Sequence, residues 1–546
     1  MASGVALGLS LPPFGLWPLA FVGSGLLYWR LGALGPKWRL MVGEAAGIGC
    51  FGIGLFWAER FNWYGWVVLV VVESATMAVA SIGTFGRVRL VTYGCSFTLM
   101  EALRQGWPFG GLPVGGVFLG QANGPLLGAA RLGGPLLITA LVFAGGGALF
   151  EVASRVVPSH PHRAALHTTQ GICVLSVVVG LVVAAQTLPD GGPPIGSVEV
   201  AAIQGGRPAR SDSPAGGVLS SELDATASLL ESARRPSLVL WPEDSVPIAR
   251  TPSEPLVSTV ELRALTQVAS FLRATLVAGL TINEPGAKFR NEIVALGPDG
   301  KIVSTFEKVH RVPFGEYVPL RGIVSHLADV SQVPRDAIAG HGSGLMDTPA
   351  GPLGAVVSFE VFFADRGRSA TRAGAELLVV PTNTNSFPGD QMPSQELAAA
   401  RVLATAEGRD LLQSSVSGYS VLVSNRGRVL ASTPLSRRRV LVGTLSLRSG
   451  ATVYQTLGDI YLLVVVAALL AACWLIWVAS TERRRQSADK GAGGEQRAEP
   501  VLPAVGVGRG SVSAGRHHAG GDNAIIAAAT DLWTSLASLP LPGRQE

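Results

Sequence analysis

The polar middle of this chain, residues 190–458, contains no cysteine. The four cysteines present, Cys50, Cys95, Cys173 and Cys473, all fall in apolar runs. The middle therefore holds no disulfide, and its chemistry does not run through a thiol. Charge is scarce as well: only 15% of residues are Asp, Glu, Lys or Arg, against about a quarter in ordinary soluble domains. The formal net charge of +5 reflects basic loops between apolar runs, so no nucleic-acid role is read from it. No basic n-region precedes the first apolar run, so it does not read as a cleavable signal peptide. His310 and His341 lack the spacing of a metal site. The glycines of Gly340-His341-Gly342-Ser343-Gly344 are not followed by a dinucleotide-type helix start. Neither metal nor cofactor is expected.

What the chain has in excess is long apolar sequence. Runs cover 2–11, 14–29, 41–57, 64–84, 88–103, 132–153 and 168–188, with one more at 459–479. Several approach the ~20 residues that cross a bilayer, although the first is too short to span alone. The expected organisation is an N-terminal membrane domain over 1–189 with about seven spans, a polar domain over 190–458, a last transmembrane helix over 459–480, and a disordered tail over 481–546. The basic groups Arg30, Lys37 and Arg39; Arg87 and Arg89; Arg155 and Arg163; and Arg483 to Arg485 lie in alternate loops. Basic loops face the cytoplasm, so both termini are expected inside and the polar domain outside. In the tail, only 524–541 is apolar.

The polar domain alternates strand-like runs (197–203, 237–240, 275–280, 291–296, 302–306, 354–357, 376–381, 421–423, 428–431) with helix-like ones (217–233, 256–272, 394–408). Pro298-Asp299-Gly300 and Asn425-Arg426-Gly427 mark hairpins. This mixture points to a layered α/β sandwich.

Three segments at strand ends carry the candidate chemistry: Trp241-Pro242-Glu243-Asp244, Lys308 through Glu316, and Val356-Val357-Ser358-Phe359-Glu360. Strand ends are where side chains converge in layered α/β domains. Glu243 is a candidate general base, or else it caps the following turn. Lys308 is placed to stabilise an oxyanion, or it is a strand-end lysine in solvent. Glu316 sits in a stiff Pro- and Gly-containing loop, where it would hold the Lys308 ammonium. Ser358 occupies a strand-to-helix turn, which exposes a nucleophile and equally suits a helix N-cap. Glu360 orders either the site or the turn.

These segments, in this order and spacing, resemble the nitrilase superfamily. The flanking sequence resembles its membrane-bound branch, the apolipoprotein N-acyltransferases. The likeness extends over roughly 1–480 and includes Pro12-Pro13-Phe14-Gly15-Leu16-Trp17-Pro18, Glu101-Ala102-Leu103-Arg104, Gln395-Glu396-Leu397-Ala398-Ala399-Ala400-Arg401 and Leu447-Arg448-Ser449-Gly450. The resemblance implies a multi-span α-helical membrane domain carrying an extracytoplasmic nitrilase-like αββα sandwich. It also implies a reaction in a bacterial cell membrane: a fatty acyl chain moves from a membrane phospholipid to the enzyme, then to the N-terminal amine of a diacylated prolipoprotein. By resemblance Glu243 is the base, Lys308 and Glu316 are its electrostatic partners, and Ser358 stands at the nucleophile position, where the family carries cysteine. Thr382-Asn383-Thr384-Asn385 departs from the family's Thr-Asn-Asp pattern. A serine hydroxyl is a far weaker acid than a thiol and needs a stronger base. Three readings stay open: a slower serine-based N-acyltransferase, a silent paralogue that binds lipid, lipoprotein or a membrane enzyme through its tail, and a membrane-tethered amidase.

Overall fold

A computed structural model of the chain describes residues 1–495 apart from 61, 87, 155–160, 207–213, 232, 249–258, 327–328, 332 and 388. The apolar stretch 524–541 and most of the expected tail lie outside the described residues.

Every apolar run forms a helix: Ala2–Ser10, Pro18–Leu31, Pro36–Gly54, Trp63–Ile82, Arg89–Arg104, Ala130–Ala153, Pro161–Thr187 and Ile460–Glu495. Four segments among the described residues are long and apolar enough to cross a membrane: Trp63–Ile82, Leu127–Ala153, Thr168–Thr187 and Ile460–Glu482. The last helix runs over Ile460–Glu495, and its stretch long and apolar enough to cross a membrane is Ile460–Glu482. Within Ala130–Ala153 the backbone breaks at Gly133-Gly134-Pro135. Gly134 has φ +58°, and a Cβ there would lie 2.6 Å from the Tyr454 ring, so the kink lets the pre-span segment pack against the helix.

Among the described residues the polar domain contains fourteen strands in chain order: β1 Gly196–Gln204, β2 Leu238–Leu240, β3 Val246–Ile248, β4 Thr275–Glu284, β5 Lys288–Leu296, β6 Ile302–Glu307, β7 Asp336–Ala337, β8 Leu345–Thr348, β9 Gly351–Ala355, β10 Leu377–Thr382, β11 Leu411–Ser415, β12 Val421–Val423, β13 Val429–Ser432 and β14 Arg439–Leu447. One sheet runs β14-β1-β2-β4-β5-β6, with β3 paired to β4 and β7 to β5; the other runs β13-β12-β11-β10-β9-β8. Strand periodicity sorts the layers. Leu238 and Leu240 join Val200, Val277, Leu353, Val379 and Leu412 in the core between the sheets. Val239 points the other way, into a second core under helices Pro214–Ala227 and Val260–Leu272. The outer face of the second sheet, with Leu378 and Val380, packs on helix Gln391–Glu407, and that core is continuous with the membrane helices. The architecture is the αββα sandwich, with one helix layer shared with the membrane part.

Several strands escaped the sequence reading. β11 is buried along its whole length and shows no alternation, and β14 has a glycine, Gly443, within its apolar run and begins among arginines. The segment expected as strand at 354–357 forms β9 earlier, over Gly351–Ala355, which frees Val356 and Val357 to lead into the next turn.

Polar contacts fasten the sandwich to the membrane helices. Gln395 donates through Nε2 to the Gly54 carbonyl at 2.7 Å and accepts from the Gly115 N–H at 3.1 Å. Gln391 donates to the Ile53 carbonyl at 2.6 Å. The loop carrying Gly115 is itself pinned by the buried Arg104. Its guanidinium pairs with Glu73 at 2.6 Å and Glu101 at 3.0 Å and donates to the carbonyls of Leu112 and Val114. Buried charge is tolerated when paired and hydrogen-bonded on all sides. The resemblance motifs at 101–104 and 395–401 are thus two halves of one joint.

Candidate active site

The three singled-out segments meet at the C-terminal ends of β2, β6 and β9. Glu243 follows β2 and is buried. Its Oε1 accepts from Lys308 Nζ at 2.7 Å and from Asn291 Nδ2 at 2.7 Å. The backbone of β4 passes close beneath it: a Cβ on Gly279 would lie 2.7 Å from Glu243 Cα, so only glycine admits this approach. Lys308, 1% exposed, leaves β6 and bridges two carboxylates, donating also to Glu316 Oε1 at 2.6 Å. Burial alone would lower the Lys308 pKa, but Glu243 and Glu316 outweigh it and hold the ammonium well above its ordinary value. Burial pushes Glu316 upward, and Lys308 opposes that rise. Its second oxygen accepts from the Val312 N–H at 2.9 Å, fixing the loop that the two prolines stiffen.

Ser358 follows the short lead from β9 with φ +50°, a left-handed conformation rare for a residue with a side chain. Such strain is held only where the surroundings enforce it, and here Glu360 does so. Its Oε1 accepts from the N–H groups of Val309 at 2.7 Å and His310 at 3.0 Å, and its Oε2 from Val357 at 2.9 Å. One fully buried carboxylate therefore staples the residues beside Lys308 to the residue before Ser358. Glu360 thus joins the loop after Lys308 to the turn that carries Ser358.

Three residues that sequence reasoning did not single out complete the cluster. Asn291, inside β5, is the second donor to Glu243. Thr382, at the end of β10, places Oγ1 3.2 Å from Ser358 Oγ and also hydrogen-bonds Glu396 Oε1. Glu396, on helix Gln391–Glu407, is buried. The signal for the last two was present in the sequence as family-like stretches, but nothing local distinguished them from structural residues. Beside Glu243, Asp244 accepts from Thr281 at 2.5 Å and from Asn383 at 3.4 Å. Burial and the Glu243 charge push Asp244 up to about 6.

Burial also pushes Glu396 up to about 8, with Glu243 adding to the rise and Lys308 opposing it. A raised carboxyl binds its proton more tightly in the folded state, so its contribution to stability is lost as pH rises toward about 8. Glu396→Gln carries no titrating proton. The variant is expected to gain stability relative to the native chain between about pH 5 and pH 9, measured by thermal unfolding in detergent. An unchanged difference across that range would show that Glu396 does not titrate in this window.

Among the described residues no group of three or more His, Cys, Asp or Glu side chains is arranged to hold a metal ion. The cluster combines carboxylates, an ammonium and a hydroxyl, groups able to stabilise an oxyanion and to move protons.

Residues 3–148 match the apolipoprotein N-acyltransferase N-terminal domain, and residues 200–455 match the carbon-nitrogen hydrolase domain. An apolipoprotein N-acyltransferase of Mycolicibacterium smegmatis is 27% identical over 507 residues, covering 86% of this chain and 83% of that protein. One from Gloeobacter violaceus is 29% identical over 513 residues, covering 89% and 94%. Among solved structures, a Saccharomyces cerevisiae member of branch 10 of the nitrilase superfamily aligns at 19% identity over 46% of this chain and 91% of that one, with a TM-score of 0.36, which carries no weight here.

Proposed function

We propose, from the premise that this chain belongs to the apolipoprotein N-acyltransferase family, that it transfers a fatty acyl chain from a membrane phospholipid to the N-terminal amine of diacylglyceryl-cysteine, with Ser358 as nucleophile. The sandwich lies on the outer face of the bacterial cell membrane, and both termini are cytoplasmic. The observation that carries this reading is the buried Glu243–Lys308–Glu316 cluster, tied through Glu360 to the strained turn of Ser358.

The reaction has two halves. In the first, Ser358 Oγ attacks the donor ester carbonyl. The negative charge that develops on the carbonyl oxygen is stabilised by the Lys308 ammonium, whose position is set in advance by two carboxylates. In the second, the lipoprotein amine attacks the acyl-serine and Glu243 takes the proton that the amine sheds; the carbonyl–Oγ bond then breaks, and that proton passes to the departing Ser358 oxygen, which leaves Glu243 ionised and the serine hydroxyl restored. Glu316 acts through Lys308 and Glu360 through the loop backbones. Both substrates are anchored in lipid, so fixing the sandwich to the membrane helices through Gln391 and Gln395 keeps the site at the height of the ester bonds.

The test is mass spectrometry of a lipoprotein N-terminal peptide from cells lacking every other N-acyltransferase. The native chain is expected to yield triacylated peptide, and Ser358→Ala only diacylated peptide. Triacylation surviving in Ser358→Ala would remove serine from the mechanism. Diacylated peptide from the native chain would favour the silent-paralogue reading, and free fatty acid without acylated peptide the hydrolase.

A further inference from the structure

Thr382 Oγ1 donates to Ser358 Oγ at 3.2 Å and is shared with Glu396 Oε1. A threonine hydroxyl owns one proton, so the two contacts cannot both be donated at once. With Glu396 ionised, the chain runs Ser358 to Thr382 to Glu396. With Glu396 protonated, it reverses, and Ser358 Oγ becomes the acceptor. We propose that Thr382 and Glu396 form a proton relay for Ser358, so that the serine is activated by a second carboxylate and not by Glu243. The proposal rests on the acyl-transfer reading above and assigns the base for its first half.

Both relay residues are closed off from water: Thr382 is 0% and Glu396 1% exposed. Glu396 Oε2 finds no hydrogen-bond partner among the described residues, so Thr382 is the group through which this carboxyl acts. By contrast, the bonds on Glu243 Oε1 come from Lys308 and Asn291. A carboxylate paired with an ammonium is a poor acceptor for an alcohol proton, whereas a desolvated one bound only to a hydroxyl is a better one. The raised Glu396 carboxyl is in keeping with that role.

The step balances as follows. The Ser358 Oγ–carbon bond forms while the carbonyl electron pair moves to oxygen. The serine proton passes to Thr382 Oγ1 as the threonine proton passes to Glu396. When the intermediate collapses, the ester bond to the glycerol oxygen breaks. That oxygen leaves with the proton returned from Glu396 through Thr382. Acyl-serine and lysophospholipid result, and Glu396 is ionised again.

Thr382 touches the reacting atom; Glu396 acts through it and is a positioning residue that also carries the proton. A thiol ionises without strong help, which makes the nucleophile itself the control. The full chain in detergent, mixed with phospholipid carrying a labelled acyl chain, is assayed for acyl-enzyme formation. In the native Ser358 background, Glu396→Gln and Thr382→Val are expected to slow acylation about a hundredfold or more, while Thr382→Ser recovers to within about tenfold. In the Ser358→Cys background the same substitutions are expected to cost less than about tenfold. Equal losses in both backgrounds would make the pair structural and overturn the relay, and so would no loss in the first. Acylation of Ser358→Cys with none of the native chain would also overturn the relay while leaving the family reaction standing. Acylation of neither would overturn the acyl-transfer reading itself.

Discussion

Lys308→Met is expected to abolish acyl-enzyme formation and to destabilise the sandwich by about 3–5 kcal/mol, the loss that follows when one partner of a buried ion pair is removed. Glu243 and Glu316 each touch Nζ, at 2.7 and 2.6 Å, and both are largely withdrawn from water. Without the ammonium, two carboxylates face one another across a methionine side chain, and one of them must take up a proton. The proposed oxyanion then loses the ammonium that the Glu243–Lys308–Glu316 cluster supplies. Thermal unfolding in detergent and labelling with a fluorescent phospholipid measure the two effects separately. A variant that keeps both its melting temperature and its labelling would place the ammonium outside the working site.

Ser358→Cys is expected to act in the opposite direction and raise the rate of acyl-enzyme formation by about a hundredfold or more. That gain corresponds to two steps of about 1.4 kcal/mol in the barrier. Cysteine has an ordinary pKa near ~8.5 and reaches the thiolate with modest help, whereas the hydroxyl must lose its proton during attack. The φ of +50° is imposed by the Glu360 staple and does not depend on the side chain, so the thiol takes the same position. The product changes from an oxygen ester to a thioester, which hydroxylamine cleaves far more readily, and intact-mass measurement before and after hydroxylamine identifies it. Absence of an acylated species in Ser358→Cys would mean that the site no longer binds donor, whatever its nucleophile.

The fold and half of the site were legible in local sequence. Apolar runs of the required length became helices, and short β-branched runs became the inner strands of both sheets. Glu243, Lys308, Glu316, Ser358 and Glu360 lie at strand ends or in stiff loops, where a polar residue after an apolar run is conspicuous. Asn291 gave no such signal, and Thr382 stood out only as part of the family-like stretch 382–385. An asparagine within β5 and a threonine closing β10 look like ordinary strand residues, and Glu396 looks like a solvated charge on a helix with alanines around it. Nothing in a window of ten residues reveals that this helix is covered on both sides by the sheet and the membrane helices, or that Glu396 has the Thr382 hydroxyl as its hydrogen-bond partner.

By itself the sequence determined the division into membrane and α/β parts, the identity of the residue at the nucleophile position and the family likeness. These follow from periodicity, composition and motif order, which are properties of neighbouring residues. Tertiary structure alone decided which carboxylate answers to which partner. Glu243 is committed to Lys308 and Asn291, Glu360 to three backbone amides, and Glu396, through Thr382, to the serine. The bonds of Glu243 to Lys308 and Asn291 and of Glu360 to Val309 and His310 join residues dozens of positions apart, brought together by packing two sheets and a shared helix layer. Burial then sets the charge preference of each, and no local pattern encodes it.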